Sequence, residues 1–132
     1  MPLMNHNITI PDASITVSIK REDLLHPFIS GNKFRKIKYN LLKTKELRHN
    51  TLITFGGAFS NHIAATAAAC FYSGLKSIGI IRGEDVANHA LQIAKDFGMQ
   101  LIFIAREEYK QKAEPDFAER ILGLDANDYH IV

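Results

Sequence analysis

From Thr51 to Val132 the sequence alternates short β-branched or apolar runs with longer stretches of helical patterning, and that rhythm constrains the fold most. Thr51–Phe55 reads as a strand ending in Gly56-Gly57, Ser60–Tyr72 as an alanine-rich helix stopped by Gly74, and Ser77–Ile81 as a second strand. Asn88–Phe97, closed by Gly98, reads as a second helix, and Leu101–Ile104 as a third strand. Glu107–Lys112 and Pro115–Leu122 carry helical patterning, with Pro115 placed to start the latter, and Tyr129–Val132 opens a fourth strand. Helices between successive strands imply right-handed crossovers and parallel pairing. The expected fold class is therefore α/β, an open, mostly parallel sheet with helices on both faces.

The first fifty residues have a different character. Ile15, Val17 and Ile19 alternate with Thr16, Ser18 and Lys20, the pattern of a half-buried strand. An irregular stretch follows, ending in Ser30-Gly31-Asn32. A helix is expected from Lys33 to about Leu47, with Phe34, Ile37 and Leu41 on one apolar stripe. At 132 residues, 46% hydrophobic and 23% charged, the chain has globular composition, which excludes a disordered tail, a collagen-like chain and a coiled coil. The longest apolar-leaning stretch, Ile63–Tyr72, is about half of what crosses a bilayer, so no membrane partner is expected. Sixteen Lys and Arg against fourteen Asp and Glu are too balanced for a nucleic-acid or anionic-membrane surface. The lone Cys70 forms no internal disulfide, and no basic flank precedes an apolar run at the start, so the cytoplasm is the expected compartment. The final strand reads either as an edge strand or as the sign of a truncated chain.

The densest chemical feature is Gly31-Asn32-Lys33-Phe34-Arg35-Lys36. Three cations in four residues at a helix start oppose the helix dipole, and such local conflicts tend to mark functional sites. At about 100° per residue Lys33 falls on the border of the apolar stripe and Lys36 points well away from it. A partly desolvated Lys33 would have a lowered pKa and attack carbonyls; a solvated basic helix face explains the same residues.

The second feature is Gly56-Gly57-Ala58-Phe59-Ser60-Asn61-His62. The glycines allow a tight turn and close backbone approach, and Ser60 is suited to cap the following helix. The first-turn amides of Ser60, Asn61 and His62 lie at the carboxyl end of a strand, where open α/β sheets bind ligands, and can hold a carboxylate or phosphate. Simple capping by Ser60 and Asn61, with His62 on the surface, is the competing account. The glycine-rich dinucleotide and P-loop strings are absent, and the histidines and one cysteine lack metal-ligand spacing, so no metal is expected. Cys70 reads as core. Arg82 reads as a ligand contact or a paired surface turn, and Tyr109 as a semi-buried aromatic.

Taken together, Arg21-Glu22-Asp23-Leu24, Gly31-Asn32-Lys33-x-Arg35-Lys36 and Gly56-Gly57-x-x-Ser60-Asn61-His62 resemble the 1-aminocyclopropane-1-carboxylate deaminase / D-cysteine desulfhydrase family. The resemblance runs from about Ile15 to Val132. It implies pyridoxal 5'-phosphate as cofactor, the fold of the tryptophan synthase β subunit, and deaminase, lyase or hydrolase chemistry on a small amino acid that releases ammonia and a 2-keto acid. Lys33 would hold the cofactor through its amine and later move protons. Asn61 would lie beside the cofactor ring. Ser60, Asn61 and His62 would bind the substrate carboxylate, with the Ser60 hydroxyl a proton-transfer group. Many relatives carry Gln at Phe59 and polar residues at Ile63-Ala64, differences that bear on substrate choice.

The family is more than twice as long as this chain, with its phosphate cup, pyridine-nitrogen partner and active-site tyrosine downstream. The resemblance therefore assigns residues 1–50 to a lysine-bearing part of a larger domain and 51–132 to a smaller, truncated α/β domain, and it implies little activity for the chain alone. Relatives are commonly homodimers. The alternative is a non-catalytic α/β module that binds a small anion at the Ser60 helix start.

Overall fold

The computed structural model describes residues 4–132. Two strands, β1 (Asn5–Ile10) and β2 (Ile15–Lys20), form an antiparallel hairpin. Helix α1 (Asn32–Glu46) follows a short 3-10 turn at Glu22–Leu24. The remainder alternates as β3 (Thr51–Gly57), α2 (Asn61–Ser73), β4 (Lys76–Arg82), α3 (His89–Asp96), β5 (Gln100–Ile104), α4 (Arg106–Tyr109), α5 (Phe117–Leu122) and β6 (Tyr129–Ile131). Strands β3 to β6 form one parallel sheet in the order β5-β4-β3-β6, as the strand–helix rhythm predicts.

Alternation along the buried strands sends side chains to two layers. Ile53, Ile78, Ile80 and Ile104 pack against Phe117 and Ala118 of α5 on one face. Ile81 on the other face meets Ile63 and Ala67 of α2 and Leu91 and Ala94 of α3. The alanine content of α2 has a physical reason here. All eight residues from Ile63 to Cys70 are buried, because α2 lies between the sheet and α1, whose Ile37 contacts Ala65 and Ala69. Small side chains let three layers approach closely. Gly74 ends α2 in the left-handed conformation (φ 70°), as a helix C-cap glycine does.

Three expectations need correction. β2 is exposed along its whole length rather than half-buried, because among the described residues β1 is its only partner and no layer covers the hairpin's apolar face of Ile8, Ile10, Ile15, Val17 and Ile19. Pro115 does not begin a helix. It sits in a turn that follows a 3-10 segment at Lys110–Ala113, and α5 starts at Phe117. Phe34 stays 37% exposed although Ile37 on the same stripe is fully buried.

The candidate active site at the start of α1 and α2

β3 is the central switch of the sheet: the chain runs from it to β4 and β5 on one side and returns as β6 on the other. In open α/β sheets the crevice beyond the carboxyl ends of such strands binds ligands. Here that crevice, of about 490 Å³, is lined by Phe55 of β3, Ile131 of β6, Lys36 and Asn40 of α1, His62 of α2 and Lys112. A neighbouring depression is lined by Asn32, Lys33, Arg35, Lys36 and His62. Lys36 and His62 belong to both, so the two form one continuous site.

Lys33 is placed by its loop. Gly31 precedes α1 with φ 59° and ψ −137°, a backbone conformation suited to glycine. Its amide donates to the Glu22 carbonyl at 3.1 Å. Glu22 in turn accepts a bidentate pair from Arg35 and a contact from Lys20 at 3.3 Å. The clash of cations with the helix dipole is thus partly relieved by an acid thirteen residues upstream, and Arg35 has a structural task. The Arg35 guanidinium and the Lys20 ammonium pull the Glu22 carboxyl down to about 2.

A carboxyl held below its ordinary value of 4.5 contributes stability above that pH and loses it as pH falls toward 2. Urea midpoints measured down that window should fall more steeply for the wild type than for Glu22→Gln.

Lys33 is half-buried, and among the described residues no carboxylate lies within 4.0 Å of it or of Lys36. Lys36 is exposed and stands off the apolar stripe, as its helical angle predicts, and still reaches the depression. Residues three apart share a helix face, and the crevice opens at the border of the apolar stripe, so Lys33 and Lys36 face it together.

The junction of β3 and α2 is equally specific. A Cβ on Gly56 would lie 2.8 Å from Cγ1 of Ile63 and 3.1 Å from Cβ of Ser60, so α2 starts against the strand only because that residue is glycine. A Cβ on Gly57 would meet only an ordinary contact, an Arg82 nitrogen at 3.8 Å, and neither glycine needs a positive φ. Ser60 holds the N-cap position, but its hydroxyl makes no capping bond, contrary to the sequence expectation. Instead its carbonyl accepts from the Ile63 amide at 3.1 Å, which leaves the Asn61 and His62 amides at the helix mouth.

The His62 ring turns inward, its Nε2 sharing a hydrogen bond of 3.0 Å with Oγ1 of the fully buried Thr54. Burial first, then the positive charges of Lys36 and Lys33, lower the His62 pKa. Removing one charge should raise it. In Lys36→Met the His62 ring protons should titrate at higher pH than in the wild type, followed by NMR; an unchanged midpoint would mean Lys36 does not face the ring.

Lys33 and His62 therefore meet in one depression. Ser60 is half-buried and Asn61 exposed, and neither lines it. Sequence reading singled out Lys36 in the basic cluster without giving it a role in the site, and missed Asn40, Thr54 and Lys112. Only the spacing of Lys36 from Lys33 offered a local signal. Cys70 is buried core, its thiol pushed up by burial to about 12. Tyr109 is half-buried against Phe55, and Arg82 lies over its ring at 5.8 Å. Chemically, the site offers an amine, a helix mouth for an anion, a histidine held toward its neutral form and no lining Asp or Glu.

No protein-family model matches the chain. A Thermotoga maritima protein that carries the name of a 1-aminocyclopropane-1-carboxylate deaminase is 36% identical over 96 residues, 72% of this chain and 31% of its own length. A mitochondrial bifunctional D-cysteine desulfhydrase/1-aminocyclopropane-1-carboxylate deaminase of Arabidopsis thaliana is 37% identical over 100 residues, 69% of this chain and 24% of its own. Among solved structures, a homologue of 1-aminocyclopropane-1-carboxylate deaminase superposes with a TM-score of 0.76 at 25% identity, covering 99% of this chain and 42% of that one. The chain thus spans less than half the length of the relatives it matches. None of these names is that of a hydrolase, so that class is dropped from the reactions the motifs implied. No helix among the described residues is long and apolar enough to cross a membrane. With its lysine and helix-start motifs meeting at the switch point of a matching fold, the chain is a relative, over less than half of their length, of proteins named 1-aminocyclopropane-1-carboxylate deaminase and D-cysteine desulfhydrase.

Proposed function

We propose that the chain is the lysine-bearing segment (1–50) and smaller α/β domain (51–132) of a pyridoxal-phosphate-dependent deaminase or lyase for a small amino acid. The substrate is of the 1-aminocyclopropane-1-carboxylate or D-cysteine type, and the products are ammonia and a 2-keto acid. One observation carries the reading: a half-buried Lys33 shares an acid-free depression with His62 at the mouth of α2. The relatives' names support the same chemistry.

The residues present fit one end of the cofactor. Lys33 supplies the amine that condenses with an aldehyde, and no lining carboxylate competes for it. When bound, pyridoxal phosphate supplies an electron sink at the substrate α-carbon. Lys33 Nζ would hold the cofactor and would be the amine placed to take and return a proton. Asn61, exposed at the mouth of α2, would help hold the cofactor there. The amides at the start of α2 hold the substrate carboxylate, and the Ser60 hydroxyl, free of any capping bond, moves a second proton. His62, kept toward its neutral form, adds no charge that would compete for the carboxylate.

The 132 residues alone turn over little substrate on this reading, because a phosphate cup is not among the elements that line the site. The cytoplasm and a homodimer complete it. The test is a titration of the chain with pyridoxal phosphate, read by visible absorption. A saturable band that Lys33→Ala removes is expected. No band, or an equal band in the variant, contradicts the assignment, and anion binding without a band would favour the non-catalytic module.

A further inference from the structure

We propose that Asn88, at the start of α3, is a positioning residue for the α2 mouth: its side chain fixes the Gly57–Ser60 turn that aims the Asn61 and His62 amides at the substrate carboxylate. The inference rests on the functional reading above, which seats the carboxylate there, and adds a residue that acts on that mouth from another helix.

The turn has little to hold it from within. The Ser60 amide donates to the Gly57 carbonyl at 3.1 Å, which leaves Ala58 and Phe59 as the two central residues. The Ser60 hydroxyl makes no capping bond and Phe59 is 78% exposed, so neither side chain anchors the turn. The anchor comes from α3. Asn88 donates through Nδ2 to the Ala58 carbonyl at 2.8 Å, thirty residues back in the chain, and to the Val86 carbonyl at 3.2 Å. Its Oδ1 accepts from the Leu91 amide at 3.0 Å, the N-cap bond of α3. Two carbonyls meet one end of the amide and an N–H meets the other, so only one orientation of the group satisfies all three.

The peptide unit is rigid, so holding the Ala58 carbonyl also fixes the plane it shares with the Phe59 amide, immediately before the N-cap Ser60. The Ala58 methyl rests on the core layer that Ile63 of α2 shares with Leu91 and Ala94 of α3, which keeps the turn and α3 in register. Capping α3 requires only the bond to Leu91, and Asp or Ser performs that task about as well as Asn. The bond to Ala58 requires a donor as well, and of the three side chains only asparagine carries one long enough to reach it while its oxygen caps the helix. The residue type at position 88 thus matches the second task rather than the first.

The test compares the wild type with Asn88→Ser and Asn88→Asp in the 132-residue chain without cofactor. Both variants keep an acceptor for the Leu91 amide, so their melting temperatures should stay close to that of the wild type. Hydrogen exchange at the Ser60 amide should quicken about fivefold to tenfold in both, the worth of one neutral hydrogen bond, while the Leu91 and Gln92 amides keep their protection. Acetate, titrated as a carboxylate probe and followed by NMR at the Asn61 and His62 amides, should bind at least about threefold more weakly to the uncharged Asn88→Ser. Unchanged exchange at Ser60 would overturn the proposal. So would exchange that rises equally at Ser60 and Leu91, the mark of general loosening. Acetate affinity that ignores Asn88→Ser would overturn it too, as would wild-type amides that acetate leaves unmoved. Because no pyridoxal phosphate is added, this role of Asn88 and the attachment of the cofactor at Lys33, read by its own visible band, can fail separately.

Discussion

Gly56→Val should destabilise the fold by at least about 2 kcal/mol, the range in which overpacking a tight core falls. The new Cβ would lie 2.8 and 2.9 Å from the Cγ1 and Cδ1 atoms of Ile63, a side chain with no exposed surface, and 3.1 Å from Cβ of Ser60. Ile63 cannot retreat into solvent, because it packs against Ala67, Ile81 and Leu91. The relief available is to push the start of α2 away from β3. That shift would also move His62 from Thr54, so the variant should lose anion binding together with thermal stability. Gly57→Ala is the matched control. Its nearest neighbour would be an Arg82 nitrogen at 3.8 Å and its φ is not positive, so its melting temperature should stay close to that of the wild type.

Lys33 carries the second large effect. Lys33→Ala should reduce specific attachment of pyridoxal phosphate to background, because among the described residues no other amine combines half-burial with the depression at the α2 mouth; Lys36, its neighbour there, is exposed. Lys33→Arg is the more informative variant. A guanidinium keeps the positive charge beside His62 but does not condense with an aldehyde at neutral pH. If Lys33 acts only through charge, the arginine variant keeps the visible band; if it acts as a nucleophile, both variants lose it. Lys33 is not among the buried core residues, so both should fold and unfold cooperatively like the wild type.

Much of the fold was legible because hydrophobic rhythm is a local signal. β3, α2, β4, α3 and β5 all lie within a few residues of where periodicity and capping glycines put them. The hairpin was half legible. Ile8 and Ile10 alternate with polar residues just as Ile15, Val17 and Ile19 do, yet burial depends on what packs above, and none of the described residues does so here. The site divided along the same line. Gly56 and the mouth of α2 could be read from a strand–glycine–serine string. The pairing of Glu22 with Arg35 could not, since it joins residues brought together by the Gly31 turn. Lys112 was equally hidden: it reaches the crevice only because α4 passes into a 3-10 segment, a change of pitch that the pattern Glu107–Lys112 does not announce.

The most direct test of the Lys33 assignment is chemical. The chain is mixed with pyridoxal phosphate, reduced with borohydride, digested and mapped by mass spectrometry. The account predicts one modified lysine per chain, at Lys33, abolished in Lys33→Ala without transfer to Lys36. Label scattered over the exposed lysines, or concentrated on any lysine other than Lys33, would contradict it.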